Sequence, residues 1–244
     1  MLPDYTTTFE ATMTAITTSG LTKRYGDTVA VEDLDLTVER NEVFGFVGPN
    51  GAGKSSTIAL LIGHRRPSGG SATVLDYPID SDPRAIRSRV GVLPERCDLF
   101  DRLTAREHLA AAIDLHESDD DPDVLLARVD LVAAGERRTN TYSTGMAQRL
   151  RLALALVGSP DLLILDEPAA GLDPSGIKLL RENVRAERAR GTTVFFSSHS
   201  LADVAALSDR VGFLIGGRLV SVVDPDEIDE SLGERFDRLV REER

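Results

Sequence analysis

A glycine-rich run that ends in a lysine and a serine is the first feature of this chain that predicts chemistry. The pattern G-x-x-x-x-G-K-[ST] is matched by Gly48, Pro49, Asn50, Gly51, Ala52, Gly53, Lys54 and Ser55, with Ser56 directly behind. Glycines let backbone N–H groups converge on phosphate oxygens, and the start of a helix adds partial positive charge. Lys54 would reach the β- and γ-phosphates of a nucleotide, and the Ser55 hydroxyl would ligate Mg²⁺. The alternative is a glycine-rich turn that matches by chance.

Two adjacent carboxylates at the end of an apolar run form the second candidate group. Asp166 and Glu167 follow the segment 162–165, which is composed like a buried strand. Asp166 would hold Mg²⁺ through its water shell, and Glu167 would orient and polarise an attacking water, since phosphoryl transfer depends on positioning. A core strand that ends in two solvated acids is the alternative, and the phosphate loop upstream favours the catalytic interpretation.

Short strands must position the phosphate loop. The β-branched runs before the loop are 16–21, 29–31, 34–38 and 43–47. Gly26-Asp27 and Arg40-Asn41 have the composition of turns, so we expect these runs to form an antiparallel sheet. The last run leads into the loop, and the segment 55–62 behind it has the composition of a buried helix.

The rest of the chain alternates between helices and strands. Thr104 and Glu107 have capping-box spacing and open a predicted helix, so that 97–157 is a mostly helical insert. Strand patterns return at 162–165, 193–196 and 211–215, with helices at about 175–190 and 201–207 between them. This alternation predicts a parallel sheet covered on both faces. The predicted divisions are a disordered extension at 1–13, a domain at 14–222 and an acidic helical tail at 223–244, with Met1 or Met13 as the start.

Composition excludes several classes of protein. Hydrophobic residues make up 41% and charged residues 28% of the 244, which is ordinary for a globular chain. No apolar run approaches the roughly 20 residues that cross a bilayer, no secretory signal is visible, and Cys97 is the single cysteine. The net charge of -12 disfavours nucleic acid as a partner. Only three basic residues are lysines, which favours a halophile as the source, with a GC-rich genome as the alternative.

These motifs, with one further segment, resemble the ATP-binding-cassette (ABC) ATPases. The segment is Tyr142-Ser143-Thr144-Gly145-Met146, where the family usually has Leu-Ser-Gly-Gly-Gln. Ser143 and Gly145 match, and the other three positions depart from the pattern as in many ATPases of the multidrug-export subgroup. The resemblance covers about 14–222 and implies an α/β fold: a P-loop NTPase core with a mostly parallel sheet, an N-terminal antiparallel β-subdomain and a helical insert. It also implies that ATP and Mg²⁺ bind.

The resemblance implies a dimer as well. In the family, the signature segment of a second chain closes the other side of the nucleotide, so that Ser143, Thr144, Gly145 and Met146 would bind the ATP of the partner in a head-to-tail homodimer or heterodimer. The start of the helix at 146–157 would offer a hydroxyl, amides and its dipole to that anion. An ordinary N-capped helix is the alternative.

Three more positions take roles from the family. Tyr25 lies where an aromatic ring stacks on adenine, His199 matches the switch histidine that contacts the γ-phosphate, and Asp173 matches the loop that contacts the partner chain. The alternatives are a half-exposed tyrosine, a structural histidine and a turn before Pro174.

Glu95 is the main departure from the family pattern. It stands where a glutamine usually contacts Mg²⁺ and the attacking water. A carboxylate ligates Mg²⁺ more strongly than an amide does, so we expect altered metal dependence and not a dead site.

The sequence therefore predicts an ATPase that drives a separate transmembrane permease, an exporter by subgroup, at the cytoplasmic face of the membrane. The stretch 96–109 would face that permease. The alternatives are a soluble ABC ATPase of translation or repair, and a nucleotide-binding scaffold without turnover. Neither tandem cassettes nor a long coiled coil is present in this sequence, and the presence of Glu167 and His199 argues against a scaffold.

Overall fold

The computed structural model of the chain describes residues 14–242. The predicted disordered extension at 1–13 lies outside the described residues. The strands are β1 (Thr14–Tyr25), β2 (Thr28–Glu39), β3 (Val43–Val47), β4 (Gly69–Val74), β5 (Tyr77–Pro78), β6 (Val90–Leu93), β7 (Leu162–Asp166), β8 (Thr193–Ser198), β9 (Arg210–Ile215) and β10 (Arg218–Val223). The helices are α1 (Lys54–Leu61), α2 (Pro83–Arg87), α3 (Ala105–Leu115), α4 (Pro122–Arg128), α5 (Thr144–Ala155), α6 (Pro174–Ala189), α7 (Leu201–Ala205) and α8 (Leu232–Glu242).

The strands form two sheets. The first is antiparallel with the order β2-β1-β4-β5, and the second has the order β10-β9-β3-β8-β7-β6. Within the second sheet β9, β3, β8, β7 and β6 are parallel, and β10 pairs antiparallel with β9 at the edge. The predicted class, a mostly parallel α/β sheet with an antiparallel N-terminal sheet, is confirmed.

Three sequence predictions about the strands are wrong in detail. Arg40-Asn41 does not join antiparallel neighbours, because β3 crosses into the second sheet and lies parallel to β8 and β9. All five residues of β3 are buried, and this pattern is typical of a parallel strand covered on both faces. The runs 29–31 and 34–38 belong to one strand, β2, in which Asp33 has a φ of 49°. The composition of Pro67-Ser68-Gly69-Gly70 predicts a loop, but Gly69 and Gly70 open β4.

Two hydrophobic clusters cover the faces of the second sheet. Alternate residues of β3 divide between them: Val43 and Val47 belong to one cluster, and Phe44 and Phe46 to the other. This division follows from the two-residue period of a strand. It confirms that the sheet is buried on both faces, which fixes the register of its strands and the direction in which their ends point.

The predicted helical insert is present as α3, α4 and α5, which pack on one another. The capping box of α3 is formed, since Thr104 Oγ accepts from Glu107 N–H while Glu107 Oε2 accepts from Thr104 N–H. At the other end of the chain, α8 buries Leu232 and Leu239, and the Phe236 ring lies 6.2 Å from that of Phe213. No helix within residues 14–242 combines the length and apolarity needed to cross a bilayer.

Candidate active site

The carboxyl ends of four adjacent parallel strands meet at one edge of the second sheet. β3 ends at the phosphate loop, β8 at Ser197 and Ser198, β7 at Asp166, and β6 two residues before Glu95. Ligands of open α/β sheets bind at this edge, because there the loops and helix starts face the ligand. The strand order therefore brings together residues that are more than 100 positions apart in the chain.

The phosphate loop holds its shape through glycine. Gly53, the N-cap of α1, has a φ of 107°, and a Cβ built there would lie 2.2 Å from the Ala30 carbonyl oxygen. Gly48 lies equally close to the backbone of β9, with 2.3 Å between a built Cβ and the Leu214 oxygen. Side chains at these two positions would collide with backbone, so the loop that turns its amides toward a phosphate needs glycine there.

Lys54 is buried, and its ammonium group has partners within the protein. Its Nζ donates to the Gly48 carbonyl oxygen at 2.8 Å and lies 3.4 Å from Glu167 Oε1. The lysine thus stays inside its own loop, next to the predicted catalytic carboxylate. A triphosphate would give the ammonium group a stronger anionic partner than Glu167.

A cavity of about 540 Å³ opens over the loop, a size typical of ligand pockets. It is lined by Ala30, Asn50, Gly51, Ala52, Gly53, Lys54, Ser55, Ser56, Glu95, Arg96, Glu167, Ala170 and His199. The structure thus brings together the predicted loop, the predicted catalytic residues and Glu95. Gly48 and Pro49 lie at the base of the loop, outside this lining.

Glu167 and His199 contact each other at the cavity wall. The distance between Glu167 Oε2 and His199 Nδ1 is 2.8 Å. The backbone of Glu167 has a φ of 49°, in the left-handed region, and its N–H donates to Ser197 Oγ at 3.0 Å. Left-handed backbone at a non-glycine residue is strained, and it is found where the surrounding structure imposes a particular side-chain position.

Asp166 is buried, and its carboxylate accepts a hydrogen bond from the Ser197 hydroxyl. Burial away from water raises the pKa of this carboxyl group, while hydrogen bonds from Ser197 and Ser55 oppose the shift. Sequence reasoning missed Ser197. The available signal was its position at the end of β8, directly opposite Asp166 in the register of β7 and β8.

The oxygen ligands near Ser55 fit Mg²⁺. Ser55 Oγ lies 3.5 Å from Glu95 Oε2, and the Ser55 hydroxyl also acts to lower the pKa of the Asp166 carboxyl group. Hydroxyl and carboxylate oxygens are the hard donors that this ion prefers. Within residues 14–242 no group of three or more His, Cys, Asp or Glu side chains is arranged to hold an ion. The cation would therefore need oxygens from nucleotide phosphates as further ligands.

The signature segment lies apart from this cavity. Ser143 caps α5, and its Oγ accepts from Met146 N–H at 3.2 Å. A second cavity, of about 310 Å³, is lined by Ser143, Thr144, Gly145, Met146, Arg149, Gly171, Leu172 and Asp173. Asp173 caps α6, and hydrogen bonds from the Gly176 N–H and the Ser175 hydroxyl lower the pKa of its carboxyl group. One chain thus carries two separate candidate sites.

Tyr25 does not line either cavity. Its side chain is 45% exposed at the β1–β2 hairpin, and Lys23 Nζ lies 5.1 Å from the centre of its ring. An exposed ring is free to stack on a planar ligand, so the adenine contact stays a prediction.

Comparisons with known proteins agree with this geometry. The family model described as "ABC transporter" matches residues 31–170. The daunorubicin resistance ATP-binding protein DrrA3 of Streptomyces coeruleorubidus is 37% identical over 235 residues, which cover 94% of this chain and 74% of that protein. The Nod factor export ATP-binding protein I of Bradyrhizobium diazoefficiens is 40% identical, over 90% and 74% of the two chains.

Solved structures share the fold over nearly the whole chain. An ATP-binding subunit of an ABC transporter superposes with a TM-score of 0.85 at 29% identity, covering 93% of this chain and 99% of that one. A dimeric bacterial ABC transporter cassette shares the fold at a TM-score of 0.78 and 20% identity, over 86% and 98% of the two chains. The phosphate loop, the paired carboxylates and these relatives lead to one conclusion: this chain belongs to the ABC transporter family and is one of its ATP-binding, ATP-hydrolysing subunits.

Proposed function

We propose that this ATPase works as one half of a head-to-tail dimer that closes around two ATP molecules and drives a separate transmembrane permease. The observation that carries the proposal is the presence of two separate cavities in each chain. One cavity holds the phosphate loop, Glu167 and His199, and the other holds the signature segment and Asp173. Each cavity offers half of what a buried triphosphate needs, and two chains in opposite orientation would supply both halves.

Within one site, the residues of the chain have distinct tasks. The amides of the loop and the Lys54 ammonium bind the β- and γ-phosphates, which releases Glu167 from its 3.4 Å contact with the lysine. Glu167 then accepts a hydrogen bond from the attacking water and orients it, while His199 holds the other carboxylate oxygen and faces the γ-phosphate. Ser55, Asp166 and Glu95 would hold Mg²⁺, which would neutralise phosphate charge.

Nucleotide-dependent dimerisation tests this proposal. In the Glu167→Gln variant hydrolysis is blocked, so with ATP and Mg²⁺ the closed dimer should accumulate and sedimentation velocity should show twice the mass. Adding Ser143→Arg should return the protein to a monomer, because a bulky cation would fill the second cavity. Ser81→Arg, at an exposed serine outside both cavities, is the matched control and should leave the dimer intact. A Glu167→Gln protein that binds ATP and stays monomeric would contradict the proposal.

Export is the direction we propose. The relatives above are named for daunorubicin resistance and Nod factor export, and a third, from Bacillus licheniformis, for bacitracin transport. The exposed Phe100, in the stretch 96–109, offers an apolar contact for the permease at the cytoplasmic face of the membrane. If the alternative of a soluble ABC ATPase were correct, the expressed protein would not sediment with membranes that contain a co-expressed permease.

We also propose that the chain has one catalytic domain at about 14–222, followed by the tail at 223–244. The packing of α8 on Phe213 supports a tail that is docked on the core.

We further propose that the chain works at high salt. The excess of 40 acidic over 28 basic residues supports this proposal, as does the scarcity of lysine, with only Lys23, Lys54 and Lys178.

A further inference from the structure

An ion pair joins α6 to α7 outside the lining of the catalytic cavity. Arg181 Nη2 donates to Asp203 Oδ1 at 2.8 Å. The two side chains are 32% and 16% exposed, so water screens the pair less than it screens an ion pair on the open surface. Neither side chain lines the cavity over the phosphate loop, and any effect of the pair on hydrolysis would have to act through other residues.

Asp203 belongs to α7, which starts at Leu201, two residues after His199. Ser200 caps α7, with its Oγ accepting from the Asp203 N–H at 3.4 Å, and the carboxylate in this first turn suits the positive end of the helix. The helix has five residues, of which Val204 is the buried one. Val204 attaches this short helix to the hydrophobic core, and the contact between Asp203 and Arg181 adds a polar attachment to α6.

Arg181 lies in the longest helix of the described chain, α6, which begins after Asp173. Arg181 and Asp203 both line a small cavity of about 10 Å³. Pro168, which follows Glu167, and Ser198, which precedes His199, line the same cavity. The ion pair therefore borders a cavity that it shares with the chain segments next to both catalytic candidates.

The side chain of His199 has little else to hold it. It is 69% exposed, and its contact is the 2.8 Å approach of Nδ1 to Glu167 Oε2. The position of such a ring depends on the position of its backbone, and the backbone is fixed on one side by β8 and on the other by α7.

Within residues 14–242 Arg181 Nε is also buried without a hydrogen-bond partner. A buried unpaired N–H group costs free energy of folding that apolar residues at this contact would not cost.

We propose that Arg181 and Asp203 are positioning residues for ATP hydrolysis: their ion pair anchors α7 and so holds His199 against Glu167. The inference rests on the proposed function, since it concerns the same site. It adds two residues outside that site. It also gives α6 a mechanical role, because a helix that begins at Asp173 in one cavity would hold the histidine of the other.

Steady-state kinetics of the full chain test the inference. Asp203→Asn and Arg181→Met should each lower kcat by about 10- to 100-fold, the size expected when a reacting group is misplaced by about 1 Å. The Kd for ATP, measured with EDTA present so that no turnover occurs, should stay within about twofold of wild type. The matched control is Glu182→Gln, which breaks the exposed Lys178–Glu182 pair on the same helix and should leave kcat unchanged.

A double-mutant cycle separates positioning from general destabilisation. If the pair acts through His199, then Asp203→Asn should have little further effect on kcat in a His199→Ala background. A merely structural role predicts the same fold-loss in both backgrounds and would overturn the inference, as would an unchanged kcat in both single variants. Should Asp203→Asn fail to fold, Asp203→Glu, which keeps the charge and shifts it by one methylene, is put through the same cycle. Wild-type turnover is measured first, because its absence would contradict the proposed function and not this inference.

Discussion

Asp166 shows how a single residue at this site trades stability for function. Its carboxyl group is buried, and burial raises the pKa. For an acid with a raised pKa, the folded state binds more protons than the unfolded state, so the free energy of unfolding falls as the pH rises above the ordinary value of 3.8. The ionised carboxylate that a cation ligand requires is therefore held in a place that disfavours it.

The first prediction follows from this sign. Asp166→Asn keeps an oxygen that accepts from Ser197 and removes the charge, so the variant should melt higher than wild type at pH 7, by about 2–4 °C for each kcal/mol gained. The advantage should shrink as the pH is lowered from 7 to 4, because wild-type Asp166 takes up a proton more readily than an ordinary aspartate does. Differential scanning calorimetry across this range measures it, with Asp114→Asn, at an exposed carboxylate on α3, as the control. A variant that melts lower than wild type at pH 7 would refute the argument.

The second prediction concerns Glu95, which replaces the usual glutamine. Because its Oε2 lies 3.5 Å from Ser55 Oγ, it adds a negative charge next to the predicted Mg²⁺ ligands. Glu95→Gln should weaken the binding of Mg²⁺, raising the Mg²⁺ concentration for half-maximal ATPase rate by about 10-fold, the lower end of what loss of a supporting ligand costs. Titrating Mg²⁺ at fixed ATP checks this. An identical titration for both proteins would show that Glu95 does not contact the metal.

At the scale of elements, the phosphate loop depends on the packing of β3, β9 and the backbone around Ala30. Gly53 is limited by two independent constraints, a φ of 107° and a carbonyl oxygen 2.2 Å from a built Cβ. Gly216, in the turn between β9 and β10, has a φ of 56° and open space around it. A comparison of substitutions at Gly216 and Gly53 therefore separates the cost of backbone strain from the cost of a steric collision.

The third prediction uses this pair. Gly216→Ala should cost about 1–2 kcal/mol, the price of left-handed backbone alone, and ATP binding should persist. Gly53→Ala should lower the melting temperature further and abolish ATP binding, because the loop must move away from Ala30 and its amides lose their alignment. Thermal melting and calorimetric titration with ATP measure both effects. Equal melting temperatures for the two variants would mean that the collision is relieved at no cost.

At the scale of the molecule, the net charge of -12 sets a repulsion that the whole fold must overcome. Salt largely screens this repulsion beyond the Debye length, which is about 10 Å at 0.1 M and about 3 Å at 1 M. Closure of the proposed dimer would add to this repulsion, because it brings two acidic chains together.

The fourth prediction is that the melting temperature rises by several degrees between millimolar and molar KCl. Sucrose at equal osmolality is the control, because it favours compact states by exclusion and screens no charge. An unchanged melting temperature over this range of KCl would remove the support for a salt-adapted chain.

The sequence by itself determined the local parts of this protein. The glycine pattern at 48–55, the capping box at Thr104 and the apolar run before Asp166 each lie within a few residues, where spacing and side-chain type dictate the backbone. They were sufficient to predict the phosphate loop, the helical insert and a mostly parallel sheet. The resemblance to ABC ATPases supplied the roles of His199 and Glu95, which neither periodicity nor spacing would indicate.

Only the tertiary structure decided which distant residues meet. The order β3-β8-β7-β6 is a matter of strand pairing, and it places Ser197 opposite Asp166, His199 against Glu167 and Glu95 near Ser55. Pairing energy depends on burial on both faces of the sheet, which is a property of the folded chain and has no local signal. For the same reason the crossing of β3 into the second sheet, the antiparallel edge strand β10 and the ion pair between Arg181 and Asp203 could be found only in the fold.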